Sequence, residues 1–212
     1  MRDRRKEIVA AGYDRLAATY LEWGREVTVD PRERMLEAFM SRLPDGARVL
    51  DLGCGAGLPS TRDLAASRFR VVGVDISPVQ LELARRNVLA AEFVEGDITE
   101  VEFADASFDG VAAFYAISHV PREEHQQLFT DVFRWLVPGG LFLATLGASD
   151  APDWTGKWLG EQMFFSSHDA DVNRQLLKTA GFELLIDEVL ETGEPGGIVS
   201  FLWVIARKAP LS

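Results

Sequence analysis

The stretch Val49-Leu50-Asp51-Leu52-Gly53-Cys54-Gly55-Ala56-Gly57-Leu58-Pro59 constrains this chain more than any other. An apolar run breaks into glycines at 53, 55 and 57 and a helical pattern follows, which reads as a strand, a ligand loop and a helix start. Glycine takes positive φ freely and has no Cβ, so such a loop can bring its backbone against a ligand. The helix start adds unpaired N–H groups that suit a polar or anionic group. A nucleotide-like ligand fits this arrangement.

The segments around the loop alternate between strand and helix patterns, the signal for a parallel sheet covered on both faces. Strands are expected at 48–52, 70–74, 91–94, 108–114 and 140–146, with helices near 60–67, 78–89 and 122–136, the last closed by Pro138-Gly139-Gly140. Before them, Ile8, Val9, Tyr13, Leu16, Ala17 and Tyr20 recur at helical spacing over 5–23. A second helix is expected from Asp30 as N-cap, with Pro31 at its first position and Glu33 completing a capping box, to Arg42. The aromatic-rich connection after Gly147 is too long for an ordinary loop and is expected to be functional or to carry short helices. A helix at 169–180 ends at Gly181, and strands at 182–190 and 198–207 form an antiparallel hairpin. The 212 residues suit one domain: a helical cap (1–44), a ligand-binding core (45–147), a lid-like insert (148–168) and a terminal helix and hairpin (169–212).

Nicotinamide and flavin sites use G-x-G-x-x-G, and here the third glycine position holds Leu58. The sequence instead has D-x-G-x-G-x-G from Asp51 to Gly57. Asp75 ends the second strand about twenty residues on, where a carboxylate can accept from ribose hydroxyls. Glu95-Gly96-Asp97-Ile98 ends the third strand, Phe108 to Tyr115 runs into Ala116-Ile117-Ser118-His119-Val120-Pro121, and Trp135 to Leu143 contains Pro138-Gly139-Gly140. These four ordered segments resemble motifs of the class I S-adenosylmethionine-dependent methyltransferases, in particular small-molecule enzymes of the type 11/12 kind, over roughly residues 45 to 147.

The resemblance implies an α/β, Rossmann-like, seven-stranded and mostly parallel sheet whose last strand is antiparallel, with helices on both faces and an N-terminal helical cap. It implies S-adenosylmethionine as cofactor, S-adenosylhomocysteine as product, and cofactor contacts from Asp51, Gly53, Cys54, Gly55, Gly57, Asp75, Ile76, Asp97, Ile98 and Phe114. Asp97 would accept from the adenine amine. The reaction implied is in-line methyl transfer to a small-molecule acceptor. His119, which follows the fourth strand, is a candidate general base, or a structural or pocket-lining histidine; His168 is a second candidate, or part of a helix cap. Tyr13, Tyr20, Trp154 and Met163 are candidate substrate contacts in the two flanking segments. Two rival readings stand beside this one: a non-catalytic binder of the cofactor or its product, and a nicotinamide-dependent oxidoreductase.

A net charge of −11 without a basic, aromatic-laced patch argues against nucleic acid. The resemblance implies the same, because DNA and protein-glutamine methyltransferases place Asn-Pro-Pro-Tyr or a close variant after the fourth strand and this chain has Phe114-Tyr115-Ala116-Ile117 there. No apolar run approaches the length of a membrane span. The charged opening from Met1 to Glu7 has no signal-like core, and a cytoplasmic protein is expected, monomeric or homodimeric. Cys54 is the single cysteine, which excludes an internal disulfide; no histidine lies near it in sequence, so a small packed side chain is preferred over a nucleophile. No metal is expected, because the cysteine and three histidines give no close-spaced ligand pair.

Overall fold

The computed structural model describes residues 3–210, so Met1 and Arg2 of the charged opening, and the last two residues, lie outside the described residues. Strands β1 (Arg48–Leu52), β2 (Arg70–Asp75), β3 (Glu92–Glu95), β4 (Phe108–Ala113) and β5 (Leu136–Gly147) run parallel in the order β3-β2-β1-β4-β5. Two long strands follow from the far end of the chain, β8 (Phe182–Glu194) and β9 (Gly197–Lys208), giving the order β3-β2-β1-β4-β5-β9-β8. β9 is antiparallel to both β5 and β8, so it alone is reversed. This is the expected Rossmann-like, seven-stranded sheet.

Alternation along the strands splits the core between the two faces. Leu50 and Leu52 of β1 pack with Leu128, Phe129, Val132 and Trp135 of α5 (His125–Trp135) and Leu177 of α6 (Ala170–Thr179). Val49 faces the other way, with Met35, Leu36 and Phe39 of α2 (Arg32–Met40) and Leu64 of α3 (Ser60–Ala66). Between β2 and β3 runs α4 (Pro78–Asn87), with Ser77 as its N-cap accepting from Gln80 N.

Several expected boundaries move. α2 starts at Arg32 because Asp30 Oδ1 caps Arg32 N at 3.0 Å from two residues back, leaving Pro31 in the cap position; the helix ends at Met40. β5 begins at Leu136, not after the Pro-Gly-Gly turn, because Leu136 pairs with Phe108 ahead of a register shift in the β4–β5 ladder. Residues 122–124 form a 3₁₀ turn rather than the first turn of α5.

The insert is the larger correction. It carries no helix but folds as an antiparallel hairpin of β6 (Ala151–Trp158) and β7 (Glu161–Ser167). The two turn residues, Leu159 and Gly160, both take positive φ, 50° and 93°, as a tight hairpin of the mirror-image kind requires. Helix α1 (Arg4–Arg25) lies on β7. Gly12 permits this closeness: a Cβ there would stand 2.8 Å from both Gln162 O and Met163 Cε. Val9, Leu16, Met163 and Phe164 bury together where the two meet.

Candidate functional site

The carboxyl ends of β1, β2 and β4 carry the glycine loop, Asp75 and Phe114, and α1 with β7 covers them. Gly53 has φ 72° and lies so near Ala116 that a Cβ would meet the alanine Cβ at 2.3 Å; Gly57, φ 76°, packs on Ala84 of α4 and on Val88, the residue that caps its end. Beneath the cover is an inner cavity of about 80 Å³ bordered by Gly53, Gly55, Asp75, Ile76, Asp97, Ile98 and Phe114, with Lys6, Tyr13 and His119 on its other side. It adjoins an outer cleft of about 950 Å³ that shares Tyr13, Tyr20, Tyr115 and His119 and continues to Trp23, Trp158, Phe165, Arg32 and Glu194.

The inner cavity has two carboxylates. Asp75 Oδ2 accepts from Gly55 N at 2.8 Å and Oδ1 from Ser77 N at 2.9 Å. Burial pushes it up to about 6, against those hydrogen bonds. Asp97 Oδ1 accepts from both the backbone N–H and the hydroxyl of Thr99, each at 2.9 Å. Its Oδ2 lies 3.1 Å from Lys6 Nζ, an ion pair without the alignment of a hydrogen bond. Lys6 also donates to Thr99 Oγ1 and Glu124 Oε2, both at 2.6 Å. Burial works against its ammonium, but Glu124 and Asp97 outweigh that and raise its pKa.

His119 is held at both nitrogens. Nδ1 donates to Phe164 O at 2.8 Å, which leaves Nε2 as an acceptor facing the Tyr13 hydroxyl, also 2.8 Å away. Burial lowers the imidazole to about 4 and raises the Tyr13 phenol well above its ordinary value, so both are neutral near pH 7. Around them Tyr20 stacks on Trp23 at 5.8 Å, and Trp158 meets Trp23 edge-on at 5.5 Å.

Gly53, Gly55, Asp75, Ile76, Asp97, Ile98, Phe114, Tyr13, Tyr20 and His119 thus share one cavity. Other candidates from the sequence lie elsewhere. Asp51 is buried behind the loop, accepting from Thr61 Oγ1 at 2.6 Å and pushed by burial to about 6. Cys54 is buried with its thiol raised by burial; a Cβ on Gly73 would meet its Sγ at 2.8 Å, so the side chain is packing. Met163 is wholly buried beneath α1 and Trp154 is 46% exposed on the outside of the insert; neither borders the cavities. His168 turns away to donate from Nε2 to Arg122 O at 3.2 Å, and the cap of α6 is its neighbour Asp169. Among the described residues no three His, Cys, Asp or Glu side chains group as metal ligands, and no helix is long and apolar enough to cross a membrane.

Sequence reasoning passed over Lys6, Tyr115, Arg32 and Gln80. Lys6 had a usable signal, its spacing of three and seven from Val9 and Tyr13 on one face of α1. Tyr115 takes φ 58°, which nothing in its neighbours announces. Gln80 is fully buried with neither amide atom hydrogen-bonded, its Oε1 3.9 Å from where a Gly55 Cβ would stand.

A family model described as "Methyltransferase domain" matches residues 49–140. Among curated relatives, 24-methylenesterol C-methyltransferase 2 of Oryza sativa subsp. japonica is 37% identical over 57% of this chain and 34% of its own length. Malonyl-[acyl-carrier protein] O-methyltransferase of Enterobacter lignolyticus is 34% identical over 72% of this chain and 59% of its own length. The chain therefore spans less than two thirds of these relatives. Among solved structures, the 1,6-didemethyltoxoflavin-N1-methyltransferase of Burkholderia thailandensis, with 1,6-didemethyltoxoflavin and S-adenosylhomocysteine bound, superposes with a TM-score of 0.72 at 21% identity, over 97% of this chain and 87% of that one.

Proposed function

Because this chain belongs to the class I S-adenosylmethionine-dependent methyltransferase family, we propose that it transfers a methyl group from S-adenosylmethionine to a small-molecule acceptor in the cytoplasm, leaving S-adenosylhomocysteine. The observation that carries this reading is the convergence of Gly53, Gly55, Asp75, Ile76, Asp97, Ile98 and Phe114 on one cavity that adjoins an aromatic-walled cleft.

The residues present fit the cofactor. Asp75 is a buried carboxylate suited to ribose hydroxyls, Asp97 Oδ2 is a buried acceptor without a well-aligned donor, and Gln80 is a buried amide without partners beside the loop. When bound, the cofactor supplies a methyl group already activated by its sulfonium. The protein then has to hold the acceptor in line and keep water out, which can lower a barrier by ~7 to 11 kcal/mol in favourable cases. Tyr13, Tyr20, Trp158 and Phe165 provide the dry wall.

His119, lowered to about 4 and occupied at Nε2 by Tyr13, is a weak base. Its role is to orient the Tyr13 hydroxyl toward the cavity. An acceptor that loses a proton during transfer can pass it to Tyr13 Oη while Tyr13 passes its own to His119 Nε2. Acceptors that are nucleophilic without losing a proton suit the site best. The same lack of a free base favours, as a second reading, a protein that binds the cofactor or its product without turnover.

Calorimetric titration with S-adenosylhomocysteine, repeated with NAD and with Asp75→Ala and Asp97→Ala, tests the proposal. Micromolar binding that both substitutions weaken, with no response to NAD, is expected; preference for NAD would overturn it. An acceptor panel read by S-adenosylhomocysteine release separates enzyme from binder.

A further inference from the structure

Among the described residues, Arg32 is a cleft-lining cation whose guanidinium makes no hydrogen bond, although its side chain is only 18% exposed and its Nε is fully buried. The guanidinium carbon lies over two rings, 5.4 Å from the centroid of Phe114 and 5.0 Å from that of Tyr115. Both contacts are with ring faces, which accept no conventional hydrogen bond and leave the guanidinium donors unspent.

The nearby anion does not use those donors. Asp30 Oδ1 accepts from Arg32 N at 3.0 Å and from the Tyr115 hydroxyl at 2.9 Å, and Oδ2 comes only within 3.3 Å of Nε. Asp30 thus neutralises Arg32 in part and leaves both terminal nitrogens open. Tyr115 is brought under the guanidinium by its left-handed backbone, φ 58°.

A planar five-donor fork with an open edge matches a planar anion that accepts two hydrogen bonds at once. Asp30 and Glu194 line the same cleft, which disfavours a doubly charged phosphate and leaves a singly charged carboxylate. We propose that Arg32 is the carboxylate-binding residue of this site, held ready against the rings of Phe114 and Tyr115. The assignment rests on the cofactor reading above. It deepens that reading by requiring a carboxylate on one of the two ligands, the amino-acid tail of the cofactor or the acceptor.

The test uses the full chain, with Arg32→Gln and the charge-conserving Arg32→Lys. Calorimetry compares S-adenosylhomocysteine with 5′-methylthioadenosine, a thioether nucleoside that lacks the amino-acid tail. A second arm titrates 3-phenylpropionate and 3-phenylpropionamide into protein saturated with S-adenosylhomocysteine. If the cofactor supplies the carboxylate, Arg32→Gln weakens S-adenosylhomocysteine at least ~10-fold and leaves 5′-methylthioadenosine unchanged, with Arg32→Lys between. If the acceptor supplies it, Arg32→Gln leaves both nucleosides unchanged but removes a preference for the acid over the amide. Unbroken nucleoside binding in either case shows that the variant is folded. The assignment is overturned if both nucleosides weaken by one factor, or if no ligand responds to Arg32. Failure of the wild-type protein to bind either nucleoside would overturn the cofactor reading, and this assignment with it.

Discussion

Among the cavity residues whose ionisation departs from that of the free side chain, His119 and Lys6 give sharp tests. His119 is lowered to about 4, so it stays neutral from pH 8 down to about 4; an acid limb near 6 in the pH profile of S-adenosylhomocysteine release should come from Asp75, raised to about 6, and persist in His119→Asn. A limb at that pH, absent in His119→Asn, would show the imidazole acting as a free base. Lys6 is buried between Asp97 and Glu124, and Lys6→Met should destabilise the fold by about 2 to 4 kcal/mol by stranding a buried carboxylate. Adding Asp97→Asn should restore most of that in urea denaturation; additive losses would mean that the pair is not coupled. At this scale Asp75 and Asp97 were legible because each follows a strand at a set distance from the glycine loop. Arg32 was not, since a cation at the start of a helix reads as a solvated side chain until the fold covers it, whereas Lys6 could have been found from its helical spacing to Val9 and Tyr13.

At the scale of elements, the decisive contact is α1 on the β6–β7 hairpin. Gly12 has no room for a side chain against Gln162 O, a backbone atom that cannot step aside. Gly12→Val should lift α1, costing about 1 to 3 kcal/mol in stability, and should speed S-adenosylhomocysteine release together with amide exchange in α1. Stability loss with an unchanged release rate would separate α1 from the cavity. The hairpin itself escaped sequence reading because its turn is Leu159-Gly160 instead of Asn-Gly, and Leu159 gives no hint of positive φ. β5 was shortened for a related reason: Pro138 and Gly139 read as a break, yet pairing of Leu136 with Phe108 carries the strand across them. The central strands were legible, because burial on both faces leaves unbroken apolar runs.

For the whole molecule, buried titrating groups oppose one another. Asp51 and Asp75 are raised to about 6, so the folded protein binds more protons than the unfolded chain between about pH 4 and 6, and their contribution to stability falls as pH rises through that window. His119 and His125 are lowered to about 4, so their contribution falls as pH drops from 6.5 to 4. Asp51→Asn removes one side of this balance. Raising Asp51 from 3.8 to about 6 disfavours its charged form by ~3 kcal/mol, so the variant should gain stability over wild type from pH 4 to 6 and hold that gain to pH 7. Denaturation at pH 4 and 7 checks this; an equal difference at both would place the effect in the Thr61 hydrogen bond instead. The sequence by itself determined the parallel core, the order of its motifs and the place of the ligand loop, because glycine spacing and apolar runs are local and survive without neighbours. Only the tertiary structure decided which side chains border the cavities. It buried Asp51, Cys54 and Met163, turned His168 away and brought in Lys6 and Arg32, because access to a cavity depends on residues from distant segments packing around it.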